Sequence, residues 1–233
     1  MTPADPPLTE AQRRQFASQG FVVLRDAVPA TAVAAARARI DAALAADRSI
    51  GRNREYAEKS YCPDILETEE ILALFEGRPR AAVDALFGRS GLARLTNAQI
   101  ALRPPEYRSE IGHSGAHIDG FPSAANGIPA RQIGRHTAIV GVFLSRAEQP
   151  GMGNLWVWPG SHRPMAEAMR RLEAPQLLAE HGAEALHAAA IEAAVRLADG
   201  IELAVEPGDA VLCHHLLAHA VGGNLSVQTP TPH

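Results

Sequence analysis

Three side chains in this sequence have the residue types and spacing of a metal-binding face, namely His117, Asp119 and His219. Two imidazoles and one carboxylate can hold non-haem Fe(II) and leave other coordination positions open for substrate and oxygen. Because successive side chains of a strand point to opposite sides, a spacing of two places His117 and Asp119 on the same side. A His-x-Asp pair alone is a weak signal, so the surrounding sequence has to support the prediction.

The spacing leaves the third ligand open. The turn Pro207-Gly208-Asp209 precedes an apolar strand that runs into a histidine-rich segment, residues 214–219. His215 and His219 are four residues apart and would share one side of an extended strand, so either could join the first pair. A histidine in a strand is also commonly a hydrogen-bonded core or surface residue rather than a ligand.

Composition places this chain among ordinary soluble globular proteins. It has 233 residues, of which 46% are hydrophobic and 21% charged, and a formal net charge of -4. That charge gives no electrostatic reason to expect nucleic acid or an anionic membrane as partner. The two cysteines form no motif, and no apolar run reaches the length of a signal or membrane segment. We therefore predict a cytoplasmic protein, and the sequence does not indicate its oligomeric state.

The first part of the chain is predicted to form several helices and one strand. Thr9 and Gln12 have the spacing of a capping box, which predicts a helix from there to about Ser18. Gly20 ends this helix, and the apolar residues 21–24 predict a strand. Further helices are predicted at 31–46, 64–75 and 81–87, the first of them with an apolar stripe at Val33, Ala36, Ile40 and Leu44.

From about residue 92 the pattern changes to short apolar runs bounded by Pro, Gly or Asn. This pattern is typical of an all-β sandwich or barrel, and the runs lie at 95–102, 137–144, 155–158, 201–205 and 210–213. Between them, residues 165–198 read as a helical insert with breaks at Pro175 and near Gly182. Without repeats or a linker, we predict a single domain, 1–233, with a helical front at about 8–91 and a β body at about 92–233.

Three segments together resemble the phytanoyl-CoA dioxygenase family of Fe(II)/2-oxoglutarate oxygenases. They are GFVVLRDAVP at 20–29, HSGAHIDG at 113–120 with GNLWVWPGSHR at 153–163, and PGDAVLCHHLLAHAVGGNLS at 207–226. In that family an iron-binding histidine lies ten residues after the aspartate of the Pro-Gly-Asp turn, which is His219 here. The resemblance implies a double-stranded β-helix, or jelly roll, that is mainly β with flanking helices.

The resemblance also implies an activity. Fe(II) would be held by His117, Asp119 and His219, with 2-oxoglutarate and O2 as cosubstrates, and a small metabolite would be hydroxylated. Related halogenases lack the carboxylate ligand, so the presence of Asp119 favours hydroxylation.

His113 and His162 could touch substrate, although a surface or turn role is favoured. The insert could be a wall or lid of the substrate pocket, or a solvent-covered helical pair.

One position departs from the family pattern. A basic residue that pairs with the far carboxylate of 2-oxoglutarate is expected about eleven positions after the distal histidine, and Pro230 stands there. The chain could be truncated or altered, the anion-binding role could have moved, or the protein could be a degenerate relative that binds metal without turnover. Arg103 is the relocated candidate, with Gln99 on the same face, and a solvated strand-end charge is the alternative reading of Arg103.

Overall fold

A computed structural model of the protein describes most of the chain, and in the described residues it defines five α-helices, two 3-10 helices (Pro63–Ile65 and Ala73–Phe75) and six strands. It describes residues 6–46, 62–89, 92–103, 115–121, 136–172 and 199–226, together with 105, 134, 182, 187, 188, 191, 192, 195 and 196. The helices are α1 (Glu10–Gln19), α2 (Ala30–Ala46), α3 (Glu69–Leu72), α4 (Arg78–Phe87) and α5 (His162–Leu172). The strands are β1 (Phe21–Leu24), β2 (Ala138–Val142), β3 (Leu155–Val157), β4 (Ile201–Glu202), β5 (Ala210–His214) and β6 (His219–Val221).

Two antiparallel sheets form the β part of the described residues. The first has the strand order β1-β5-β2, with Phe21 and Ile139 both opposite Cys213. The second has the order β4-β3-β6, with Val157 opposite His219. Strand β6 begins at His219, so the second sheet positions the distal histidine.

Helix α1 and strand β1 lie where the capping box and the apolar run predict them, whereas the helix predicted at 64–75 is divided into short helical turns. The Thr9 hydroxyl accepts a hydrogen bond from the backbone N–H of Gln12 at 3.2 Å, and the Gln12 side chain accepts one from the N–H of Thr9 at 2.9 Å. Gly20 ends α1 with a φ of 83°. A Cβ at this position would lie 2.5 Å from Nδ1 of His162, so both backbone conformation and packing require glycine.

Three clusters of buried apolar side chains hold the elements together. The first joins β5 to the N-terminal helices and includes the α2 stripe of Val33, Ala36 and Ile40. The second surrounds Ile118 and Trp158. The third lies between the two sheets, with Phe21, Val211 and Cys213 from the first and Val157 from the second, so the sheets pack face to face. Burial raises the pKa of the Cys213 thiol to about 12.

The structure corrects two expectations about secondary structure. The described part contains more helix than strand, so the mainly β composition is not seen there. The run 95–102 forms no strand, because the residues just before it and at its start, 93–97, are exposed and only Ile100 is buried, which leaves no alternating buried face. Among the helices described, none is long and apolar enough to cross a bilayer.

Within the predicted insert at 165–198, the described residues are helical except Arg196, which lies in a turn. Helix α5 begins three residues earlier than expected, at His162, and residues 187, 188, 191, 192 and 195 are also helical. Ile191 and Val195 are buried in the second cluster with Ile118. The described part of the insert therefore packs beside the His-x-Asp segment and is not a solvent-covered pair. The break predicted at Pro175 lies outside the described residues.

The side chain of Asp209, which is 4% exposed, stabilises the Pro-Gly-Asp turn through hydrogen bonds. Oδ1 accepts from the N–H of Asp26 at 2.9 Å, and Oδ2 accepts from the N–H of Glu206 at 3.0 Å and from Nη1 of Arg25 at 2.6 Å. Burial alone would raise the pKa of Asp209, but these hydrogen bonds outweigh it and lower the pKa below the ordinary value. The turn thereby joins the start of β5 to the end of β1.

Asp209→Asn is expected to lower the free energy of unfolding by about 2 kcal/mol at pH 7, because an amide cannot accept all of these hydrogen bonds. Folding lowers the pKa of Asp209, so its contribution is present above the ordinary carboxyl pKa and is lost as the pH falls through the folded value. Urea unfolding at pH 7 and pH 3 should show a difference in the free energy of unfolding between wild type and variant, and this difference should be smaller at pH 3. Asp41→Asn, at an exposed position on α2, should unfold like wild type at both pH values.

Candidate metal centre

His117, Asp119 and His219 come together although the histidines are a hundred residues apart in sequence. Nε2 of His117 lies 3.7 Å from Oδ1 of Asp119, and Nε2 of His219 lies 3.8 Å from Oδ2. One ligand atom from each of the three residues lies within 4.8 Å of the others. Adjacent donors of an octahedral site with bonds of about 2.1 Å are roughly 3 Å apart, so small side-chain movements would close this group around one ion.

Backbone pairing places the two histidines side by side. The N–H of His117 donates to the carbonyl of His219 at 2.9 Å, and the N–H of His219 donates to the carbonyl of His117 at 2.9 Å. These two bonds form an antiparallel bridge against β6, and the two rings lie 4.5 Å apart between centroids. Asp119 follows two residues after His117, in the turn that leaves the bridge.

Each histidine ring is oriented by a backbone carbonyl. Nδ1 of His117 lies 3.0 Å from the carbonyl of Gly115, and Nδ1 of His219 lies 3.0 Å from that of Leu217. A carbonyl can only accept, so each Nδ1 carries a proton, and Nε2 is the ring nitrogen that can bind a metal. Burial, and to a lesser degree the neighbouring His117, lowers the pKa of His219 to about 4, so this ring is neutral at pH 7. Two imidazoles that present Nε2 and a carboxylate suit a divalent transition metal.

His215, the alternative that the spacing left open, lies outside this three-residue group. Its ring stacks on that of His214 with 4.4 Å between centroids. His214 in turn packs against His162, at 5.1 Å, and its Nδ1 accepts from the N–H of Leu216. Burial lowers the pKa of both His214 and His162. His162 is buried at the start of α5, while His113 lies outside the described residues.

A cavity of about 410 Å³ opens beside Asp119. Its polar lining comes from Asp119, His136, Arg170 and His215, and its apolar lining includes Ile118, Phe121, Ala166, Met169 and Leu216. Nε2 of His136 is buried and has no hydrogen-bond partner among the described residues, so it is available to a bound molecule. No sequence pattern pointed to His136 or Arg170, because a cavity joins residues from separate elements.

The two residues predicted to bind the 2-oxoglutarate carboxylate lie apart from this cavity's lining. Arg103 is half-buried, its carbonyl accepts from Nδ2 of Asn224 at 2.7 Å, and its Nη1 donates to the carbonyl of Leu102. It also packs closely against Gly153, before β3. Gln99 is exposed, and the strand that was to place it on one face with Arg103 is not formed. Pro230 lies outside the described residues.

Ser161, in the Pro-Gly-Ser-His turn, holds the segment before His219. Its buried hydroxyl accepts from the N–H of Ala218 at 2.9 Å, and the carbonyl of Ala218 accepts from the N–H of Trp158 at 3.0 Å. The turn after β3 therefore fixes the backbone directly preceding the distal histidine.

Ser161→Ala is expected to lower the free energy of unfolding by about 1–3 kcal/mol, because the buried N–H of Ala218 loses its acceptor. Thermal or urea unfolding followed by circular dichroism measures this loss. The matched control is Ser18→Ala, since the Ser18 hydroxyl is exposed at the end of α1 and its removal leaves no buried group unpaired. Equal stabilities of the two variants would contradict the assigned role of Ser161.

Solved structures share this fold. SnoK, a non-heme alpha ketoglutarate dependent carbocyclase from nogalamycin biosynthesis, matches with a TM-score of 0.54 and 17% identity over 94% of this chain and 79% of its own. AviO1 from Streptomyces viridochromogenes Tue57 matches with a TM-score of 0.55 and 18% identity over 93% and 88%. EctD from S. alaskensis, solved with 2-oxoglutarate and 5-hydroxyectoine, matches with a TM-score of 0.53 and 16% identity over 97% and 74%. These matches show that the chain shares its overall fold with SnoK, AviO1 and EctD.

The family comparison agrees with the fold. The phytanoyl-CoA dioxygenase family model matches residues 125–230, a range that contains His219 and begins shortly after Asp119. This match confirms the similarity to the phytanoyl-CoA dioxygenase family that the three sequence segments predict. A comparison with curated protein sequences gives no match.

Proposed function

We propose that this protein is an Fe(II)- and 2-oxoglutarate-dependent dioxygenase that hydroxylates a small metabolite. The observation that carries the proposal is the group of His117, Asp119 and His219, in which both imidazoles keep an Nε2 lone pair for a metal. In this proposal the two packed sheets are the core of a double-stranded β-helix, and residues 1–233 form one cytoplasmic oxygenase domain. The fold shared with SnoK and EctD supports this assignment.

The residues of the site would have separate tasks. His117, Asp119 and His219 would hold Fe(II), which with 2-oxoglutarate and O2 supplies oxidative decarboxylation to succinate and CO2 coupled to hydroxylation of a C–H bond. Asp119 would balance part of the metal charge, and the carbonyls of Gly115 and Leu217 would keep both rings in the binding tautomer.

The cavity beside Asp119 is the proposed substrate site. Its volume, about 410 Å³, lies in the range of small-molecule pockets, and its apolar walls would exclude water from the reacting C–H bond. Arg170 and Nε2 of His136 could hydrogen-bond polar groups of the substrate and fix its orientation.

Arg103 is the proposed contact for the far carboxylate of 2-oxoglutarate. Its guanidinium has the fork geometry for a bidentate pair with a carboxylate. Its main chain is tied to Asn224, five residues past His219 on the same segment, which keeps it beside the sheet that carries the distal ligand. Gln99 is proposed with it and, being exposed, would meet the ligand from the solvent side.

A second candidate function is metal binding without turnover. The observation that favours it is Pro230, which stands where the family has its basic 2-oxoglutarate contact. Such a protein would keep the metal face but not the cosubstrate site.

An anaerobic titration separates the two candidates. Fe(II)-loaded protein is titrated with 2-oxoglutarate while visible charge-transfer absorption is followed, and succinate is then measured after admission of air. The dioxygenase should bind 2-oxoglutarate and form succinate only with Fe(II), even without added substrate. Iron-loaded protein that shows no 2-oxoglutarate binding would exclude the dioxygenase and leave the metal-binding alternative.

Arg103→Met is expected to weaken 2-oxoglutarate binding while Fe(II) binding persists.

A further inference from the structure

His187, in the helical insert, forms a hydrogen bond with the backbone between two of the candidate metal ligands. Ile118, which stands between His117 and Asp119, donates its N–H to Nε2 of His187 at 3.3 Å. The His187 ring also stacks on Phe121, with 4.3 Å between centroids and 30° between planes. The insert therefore touches the His-x-Asp segment through a side-chain hydrogen bond and an aromatic contact.

The hydrogen bond defines the state of the His187 ring. A backbone N–H can only donate, so Nε2 is the acceptor and the ring proton is on Nδ1. The ring is partly buried, and burial favours its neutral form, the form that can accept at Nε2.

The hydrogen bond between Ile118 and His187 is one of several that restrain the backbone of residues 117–120, which carry two candidate ligands. The N–H and carbonyl of His117 are both used by His219, and the carbonyl of Gly120 accepts from the N–H of Gly134 at 2.7 Å. The N–H of Ile118 lies between these points and has His187 as its acceptor. The Ile118 side chain, 2% exposed, packs in the cluster that also contains Ile191 and Val195 of the insert.

We propose that His187 is a positioning residue for the metal centre. By accepting from Ile118 and packing on Phe121, it fixes the backbone angle between His117 and Asp119 so that both side chains converge on one point. The insert that borders the substrate cavity thus also sets the geometry of the ligands. This inference rests on the metal-binding part of the proposed function and does not require turnover.

Two substitutions at His187 distinguish the effect of the hydrogen-bond acceptor from the effect of the aromatic ring. His187→Phe keeps an aromatic ring against Phe121 and removes the acceptor, whereas His187→Gln keeps an oxygen acceptor and removes the ring. Co(II) is the probe, because its visible absorption reports both affinity and coordination geometry. Glu192→Gln, at an exposed position of the insert, is the matched control. Circular dichroism confirms that each variant is folded before titration.

His187→Phe is expected to bind Co(II) about 10–100-fold more weakly than wild type and to show an altered absorption spectrum, the usual cost of removing a group that supports a ligand. His187→Gln is expected to recover most of the affinity and the wild-type spectrum. Wild-type affinity and spectrum in His187→Phe would overturn the inference, as would a His187→Gln variant as weak as His187→Phe. A wild-type protein that binds no Co(II) would overturn the metal centre itself, and this inference with it.

Discussion

Asp119→Ala is expected to abolish Fe(II)-dependent succinate formation from 2-oxoglutarate. The substitution removes the carboxylate that lies 3.7 Å and 3.8 Å from the two imidazole nitrogens and leaves a site with two imidazole ligands. Loss of a supporting group around a metal ligand already costs about 10–100-fold in affinity, so loss of a ligand should cost more. Metal content after anaerobic loading and the rate of succinate release measure the effect.

The matched control is Asp41→Ala, which removes an exposed carboxylate from α2, a helix that packs in the first cluster rather than beside the metal face. It should keep wild-type metal content and turnover. Asp119 itself is exposed, so its replacement should leave the unfolding temperature of the metal-free protein unchanged. An Asp119→Ala variant that loads Fe(II) and forms succinate as well as wild type, in buffer without halide, would reject Asp119 as a ligand of this metal centre.

Trp158→Ala is expected to destabilise the fold by about 3–5 kcal/mol, a large part of the 5–15 kcal/mol that stabilises a typical domain. Trp158 is 1% exposed and lies in the second cluster with Ile118 and Ala218, which neighbour candidate ligands in sequence. Its indole also packs directly on the backbone of Gly200, where an added Cβ would lie 2.8 Å away. Truncation would leave a cavity between β3 and the insert that this backbone cannot fill by small shifts.

Urea unfolding followed by circular dichroism measures this loss. Trp158→Phe, which keeps an aromatic ring in the same space, should cost clearly less than the alanine variant. Leu225→Ala, at a side chain that is 54% exposed, should change stability by no more than about 0.5 kcal/mol. A Trp158→Ala variant as stable as Leu225→Ala would show that the second cluster does not hold the insert against the sheet.

Local sequence patterns predicted the elements whose bonds close within a few residues. The Thr9 capping box, the Gly20 helix end and the apolar stripe of α2 are all found in the structure. The Pro-Gly-Asp turn is local in part, through the hydrogen bond from the N–H of Glu206 to Asp209, three residues away. These features are readable because the donor, the acceptor and the required backbone angles lie in one short segment.

The metal face was predictable in part. Residue types and a spacing of two indicated His117 with Asp119, but spacing alone could not distinguish His215 from His219. The family resemblance favoured His219, and in the structure His219 pairs with His117 through two backbone hydrogen bonds. Their roles as ligands remain predictions for the titrations proposed above.

By itself, then, the sequence determined the local elements, indicated His117 with Asp119 as one part of a metal face, and predicted the family to which the chain is similar. Tertiary structure alone decided that 95–102 is not a strand, that Arg170 and His136 line one cavity with Asp119, and that His187 accepts from Ile118. The physical reason is that these outcomes depend on burial and hydrogen bonds between elements far apart in the chain. No local period or motif encodes such contacts, because each is formed only when the packed elements bring its two partners together.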